Sequence, residues 1–386
     1  MELIFNMKTA SRLNNIKEYY FSKKLREIEE LRINGINVIN AGIGSPDLAP
    51  HHSVITELQE QSNNENAHKY QSYKGIAELR NAFSIWYKNY FDSVLDPNSE
   101  ILPLMGSKEG IMHISLAFLG KEDQVLVPDP GYPTYSAAAN IAEAEIINYD
   151  LKEDNGWLPD LKALEKLNLK KVKIMWINYP HMPTGKTATK NDLLEIIQFG
   201  KKNDIIICND NPYGFILNEN QNSILKFKTV NDQILELNSL SKSHNMAGWR
   251  VGMLAGGSNL IEAVLKVKSN MDSGMFFAVQ KAAIQALNLD NNWYDSINMT
   301  YKKRRSLVWQ IMDHFNAQYD RNATGMFVWA KLNNNDSIAF TENILKNHAV
   351  FITPGDIFGK NGTGYIRMSL CSNEAVLNEI LNRINK

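Results

Sequence analysis

The run Ile205-Ile206-Ile207-Cys208 constrains the fold more than any other stretch of this chain. It shows no polar alternation, so a strand built from it buries both faces, as strands inside a parallel sheet do. Its neighbours repeat the theme. Gln124–Pro128, Ala144–Tyr149, Val172–Asn178 and Ile234–Leu237 read as strands, and Leu193–Lys201 has helical spacing. Strands alternating with helices predict an α/β domain with a mostly parallel, doubly wound sheet. Such sheets bind ligands beyond the carboxyl ends of their strands, and the polar motifs of this chain fall at those ends.

The flanking segments predict a second, smaller unit. Ile16–Leu31 has helical spacing and Gly35 stops it; Ile36–Asn40 reads as a strand. Ala77–Tyr90 and Ile111–Leu119 are predicted helices, with an apolar run at Ile101–Met105 before the second. A long helix is predicted over Trp293–Phe315, and strands over Gly325–Trp329 and Gly364–Leu370. A length of 386 residues suits a large domain, expected over 50–290, and a smaller α+β domain made of 1–49 with 291–386. The 41 basic and 42 acidic residues are intermixed, so neither a nucleic-acid partner nor an acidic membrane surface is expected. Cys208 and Cys371 sit in apolar runs, which argues against a disulfide framework and against a metal site. No apolar run reaches the length of a membrane span and the N-terminus has no apolar signal core, so a cytoplasmic location is expected.

Four motifs carry the chemistry. After the Ile234–Leu237 strand comes Ser239-Leu240-Ser241-Lys242-Ser243, with Arg250 eight positions beyond the lysine. Hydroxyls and an arginine are phosphate ligands, and a lone lysine among them is a candidate for a Schiff base. Gly106-Ser107-Lys108 opens a helix, whose free N–H groups make an anion site. Asp210-Asn211-Pro212-Tyr213 directly follows the buried strand. Arg367 lies in a strand otherwise rich in apolar residues and so needs a partner.

Together with Gly44-Ser45-Pro46-Asp47 and Tyr70, these motifs resemble the pyridoxal 5′-phosphate (PLP) aminotransferases of fold type I, the aspartate aminotransferase superfamily. The resemblance runs from about residue 10 to the C-terminus with no motif out of order. It implies that Lys242 holds PLP as an internal aldimine and later moves the substrate proton. Ser107, Lys108, Ser239 and Arg250 would bind the cofactor phosphate, helped by Tyr70 from a partner chain. Tyr132 would stack on the ring, Asp210 pair with its nitrogen and Tyr213 bond its oxygen. Gly44 would let backbone approach the substrate carboxylate, which Arg367 would clamp by two parallel bonds. The implied enzyme is a homodimer with shared active sites that moves an amino group from an L-amino acid to a 2-oxo acid. A C–S β-lyase of the same fold and a PLP-binding protein without turnover are the alternatives.

Two features depart from the aspartate-specific pattern. Met182 stands where the family usually places asparagine before Pro183-Thr184-Gly185, which loses one donor to the ring oxygen. The loop Ser269–Phe277 has no arginine or lysine and carries Asp272, so a distal substrate carboxylate would be desolvated there without a partner. Met271, Met275, Phe276 and Phe277 are expected to line an apolar or mixed pocket, and Tyr19 and Tyr20 to add hydroxyl contacts. Asn270–Phe277 also resembles the diaminopimelate transaminases. The preferred donor is therefore expected to be something other than aspartate.

Overall fold

The structure, a computed structural model, describes residues 9–14, 16, 18–229 and 232–385. The first helix, α1, covers Tyr20–Ile33 rather than starting at Ile16, and Lys17 lies outside the described residues. Gly35 follows it at φ +85°, a left-handed stop that glycine takes without strain. Only Ile39–Asn40 of the expected strand is formed, as β1. Its partner offers just two residues, and without a longer partner edge the rest of the segment has nothing to pair with.

Helices α2 (His52–Ser62) and α3 (Ala77–Phe91) lead to β2 (Ile101–Leu104) and α4 (Ser107–Phe118). Then come β3 (Gln124–Asp129), α5 (Pro133–Ile141), β4 (Glu145–Asp150) and β5 (Val172–Ile177). Next are α6 (Lys190–Asn203), β6 (Ile206–Asp210), β7 (Ile234–Ser239) and β8 (Gly252–Gly256). These strands form one seven-stranded sheet in the order β2-β8-β7-β6-β5-β3-β4. All its pairings are parallel except those of β8, which runs against both β7 and β2.

The continuous apolar runs now have their reason. Along β5, Ile174 and Trp176 enter one hydrophobic core, while Met175 and Ile177 enter another on the opposite face. Period-2 alternation is present in space, but both faces are apolar, so the sequence shows none. Helices α4, α5 and α7 (Ser258–Lys268) cover one face; α3 and α8 (Phe277–Leu287) belong to the other core.

The long helix α9 (Asn291–His314) follows, then β9 (Gln318–Tyr319), β10 (Phe327–Lys331) and α10 (Ser337–His348). The chain closes with β11 (Val350–Phe351), β12 (Thr353–Pro354), β13 (Tyr365–Ser369) and α11 (Glu374–Ile384). β12, β13, β10 and β9 make an antiparallel sheet, and β1 pairs in parallel with β11. The N-terminal segment is thereby tied to the C-terminal one. Both cysteines are buried and free. Among the described residues no helix is long and apolar enough to cross a membrane.

Candidate active site

The strands deliver their polar residues to one end of the large sheet. β6 ends on Asp210, β7 ends on Ser239, and β2 ends just before Gly106-Ser107-Lys108. β8 returns antiparallel from that same end, so Arg250 arrives beside Ser239 rather than across the sheet. A cavity of about 660 Å³ opens there. Gly44, Lys242, Asp210, Tyr213 and Tyr132 line it, as do Ser107, Lys108, Ser239, Arg250 and Arg367.

Lys242 lies in a short helical turn capped by Ser239, whose Oγ accepts the Ser241 N–H at 3.1 Å. Its Nζ donates to the Gly44 carbonyl at 2.6 Å. Burial, followed by the charges of Arg367 and Arg250, pulls the amine below its usual pKa. A buried amine that is easily deprotonated is both a nucleophile and a proton carrier.

Asp210 is buried at the base of the cavity. Its Oδ2 accepts the Tyr135 hydroxyl at 3.0 Å, and Oδ1 has no protein partner. Burial pushes this carboxyl up to about 7, against the lowering effect of Tyr135. Tyr135 is itself held flat on Trp176, with ring centroids 4.9 Å apart. The arrangement is an acceptor waiting for a positively charged donor, because a buried carboxylate is costly until one arrives.

At the opposite end, Gly106 takes φ +87° just before α4, and a Cβ there would overlap Arg250 Nη2. Arg250 is exposed and donates from Nη1 to the Ala247 carbonyl at 2.9 Å. Its guanidinium, the Ser239 hydroxyl and the first turn of α4 converge as a phosphate cradle does. Lys108 projects over the Tyr19 ring, 4.4 Å from its centroid.

Arg367, in the middle of β13, is buried among three aromatic rings. Phe327, Phe358 and Phe21 have centroids 4.0, 4.7 and 5.4 Å from its guanidinium carbon. Nη2 donates to the Gly42 carbonyl at 2.7 Å, Nη1 lies 3.2 Å from Met182 Sδ, and Nε has no partner. Burial lowers its pKa to about 10, which leaves it a cation at neutral pH. Two nearly free donor positions in an apolar box suit a carboxylate.

Tyr70, which the resemblance assigns to a partner chain's site, is 90% exposed and does not line this chain's cavity. Met271 and Phe276 are exposed, Met275 is buried, and neither these nor Phe277 lines the cavity of their own chain. Asp272 is already committed: it pairs with Lys268 and accepts the Gly274 N–H at 2.8 Å. Of the two neighbouring tyrosines, Tyr19 lines the cavity and Tyr20 does not. Phe21, Ser22 and Leu25 of α1 form part of the wall, and reading the motifs alone missed them along with Phe327 and Phe358. Of the polar groups near Met182, Asn178 is engaged, and His181 is engaged at Nδ1 while its Nε2 has no partner among the described residues. Asn178 donates to the Asp210 carbonyl and accepts the Met182 N–H at 2.8 Å. His181 Nδ1 shares a hydrogen bond with Thr184, and burial pulls the ring down to about 3, so it is neutral.

Residues 36–384 match the family model described as aminotransferase class I and II. Among curated proteins, the LL-diaminopimelate aminotransferase of Aquifex aeolicus is 38% identical over 364 residues, which is 94% of each chain. That of Halothermothrix orenii is 36% identical over 381 residues, 98% of each chain. Among solved structures, substrate-bound BacF from Bacillus subtilis superposes with a TM-score of 0.93 at 30% identity, covering 98% of this chain and 97% of its own.

Proposed function

Because the chain belongs to the class I and II aminotransferases, and so moves amino groups between amino acids and 2-oxo acids with pyridoxal 5′-phosphate, we propose that its amino donor is LL-diaminopimelate. The observation that carries this reading is identity of 36–38% along nearly the whole chain to enzymes named for that donor. The basic-residue-free stretch 269–277 argues against aspartate, and the distal carboxylate of diaminopimelate brings its own ammonium as a partner. Steady-state kinetics over a panel of donors decide the matter. LL-diaminopimelate is expected to exceed aspartate in kcat/KM by about tenfold or more. A higher value for aspartate than for every other donor would overturn the proposal.

The residues on hand fit the cofactor. The unpartnered Oδ1 of Asp210 meets the need for an acceptor at a protonated ring nitrogen, and the missing Cβ of Gly106 lets the Arg250 guanidinium close on the start of α4, where a phosphate needs its donors together. PLP supplies an electron sink for the bond broken at the amino acid's α-carbon. Ser107, Lys108, Ser239 and Arg250 would hold its phosphate, Tyr132 and Tyr213 its ring face and oxygen, and Lys242 its aldehyde carbon. Lys242 then carries the proton from the substrate α-carbon, its pKa lowered by burial and its direction kept by the Gly44 carbonyl. Arg367, with backbone at Gly44, holds the α-carboxylate.

The same reading assigns the larger domain to 50–290 and the smaller to 1–49 with 291–386, in line with the strands each sheet uses. It also makes the protein a cytoplasmic homodimer without nucleic-acid or membrane partners, since Tyr70 and the Met271–Phe276 loop face outward and await a second copy. Hybrids of Tyr70→Phe and Lys242→Ala chains test the sharing. If Tyr70 acts across the interface, one site of each hybrid carries both defects and the other neither, so activity should return towards half of normal. No recovery would count against it.

Met182 should tune the cofactor without preventing its use. Its sulfur faces Arg367 and donates no hydrogen bond, and Asn178 is engaged with Asp210 and the Met182 N–H, so the side chain at 182 leaves the ring oxygen one donor fewer. In Met182→Asn, the pH at which the visible band of the resting enzyme titrates is expected to fall by about one unit, the value of one hydrogen bond. Equal midpoints in the two proteins would reject this role.

A further inference from the structure

The buried side chain of Arg304 lies outside the cavity lining, yet it grips the segment that faces Lys242. From α9 its Nη1 and Nη2 donate to the two carboxylate oxygens of Asp47, at 2.6 and 2.9 Å. Nη1 also reaches the Leu370 carbonyl at 3.2 Å, and Glu374 lies 3.7 Å from Nε. A bidentate guanidinium–carboxylate pair fixes orientation as well as distance.

Asp47 ends a short strap, 41–47, that is fastened at both ends. At its start, Ala41 donates to the Phe351 carbonyl at 2.9 Å and accepts the Ser369 N–H at 2.7 Å. The Gly42 carbonyl accepts Thr353 Oγ1 at 2.9 Å in addition to Arg367. At its far end the fastening to α9 is Arg304. Between the two lies Gly44, whose carbonyl receives Lys242 and where any Cβ would overlap the Phe327 ring. The glycines at 42 and 44 leave the backbone there free to turn, so the place of the Gly44 carbonyl depends on the anchors on either side.

We propose that Arg304, through Asp47, is a positioning residue for amino transfer: it sets the Gly44 carbonyl that aims the Lys242 amine. The proposal rests on the assignment of Lys242 above. It separates the two ends of the strap. Gly42, and with it Arg367, is held by Ala41 and Thr353 without help from Arg304. Loss of the pair therefore slows the lysine's work and spares carboxylate binding.

Arg304→Lys removes the fork and keeps the charge; Asp47→Asn, at a partly exposed position, removes the charge and keeps the shape. Each is expected to lower kcat by about 10- to 100-fold, the cost of misplacing a reacting group by about an ångström. The Kd of a 2-methyl amino acid, which has no α-hydrogen to lose, should stay within about twofold of its normal value. The double variant should be no slower than the slower single one, because the two act as a unit. In the apoprotein, amide exchange over 43–47 should quicken in both variants. Unchanged kcat in both, additive losses, or a Kd that weakens in step with kcat would overturn the proposal. If Arg304→Lys does not fold, Asp47→Asn decides alone. Borohydride attachment of PLP to Lys242 should persist in every variant, so its absence would refute the lysine assignment and not the role of Arg304.

Discussion

Lys242→Ala is expected to lower amino transfer by roughly 10⁴-fold or more, the upper range for removing a positioned acid–base group, while the protein still folds. Among the described residues the amine is the one nitrogen brought to the Gly44 carbonyl, while Arg250, Arg367 and Lys108 of the same cavity contact other groups. The change removes a group that burial already disfavours in its charged form, and the carbonyl it leaves borders an open cavity. The melting temperature should therefore change little. Borohydride treatment of the unaltered protein should attach PLP to the peptide containing Lys242, and treatment of the variant should attach none. Label on Lys108, or turnover within a hundredfold of normal, would show that the reacting amine is another one.

The second large effect is expected at Arg367. Arg367→Lys should lower kcat/KM for amino acid donors by about 100-fold, mostly through KM. Two charge-assisted bonds at about 1.5–3 kcal/mol each are at stake, and lysine recovers part of that as a single point charge. The surroundings make recovery poor. Three aromatic rings and the Met182 sulfur give a guanidinium plane flat contacts, whereas an ammonium needs water that the box excludes. Amines lacking an α-carboxylate supply the control: their rates should hardly differ between the two proteins. An unchanged KM for amino acids would place the carboxylate elsewhere.

The parts of the site that were legible in the sequence are those in which strand and functional residue are contiguous. Ile205–Cys208 announces β6, and β6 hands over Asp210; Ile234–Leu237 announces β7, and Ser239 and Lys242 follow at once. The local pattern states both the element and its end. The box around Arg367 is different. Phe21, Phe327 and Phe358 come from α1, β10 and the turn before β13, and nothing periodic links positions so far apart. The Arg304–Asp47 fork joins a helix to a turn 257 residues away and left no trace either. The partner of Asp272 was not legible either: its charge is answered by Lys268, one helical turn back and just outside the loop. Tyr70 and Met271 are exposed, so packing within one chain assigns them no role.

The reversed strand β8 has a wider meaning. Had it run parallel to β7, its connection would have crossed to the far end of the sheet, as parallel crossovers must. Instead the segment 240–251 leaves and re-enters the sheet at the same end, with the lysine near one foot and Arg250 at the other. Such a bridge acts as a caliper. On the roles proposed for Lys242 and Arg250, its two jaws would take a carbonyl carbon and a phosphate, set apart by backbone pinned to adjacent strands, so that a molecule would be gauged by its length before any of its ring substituents is inspected.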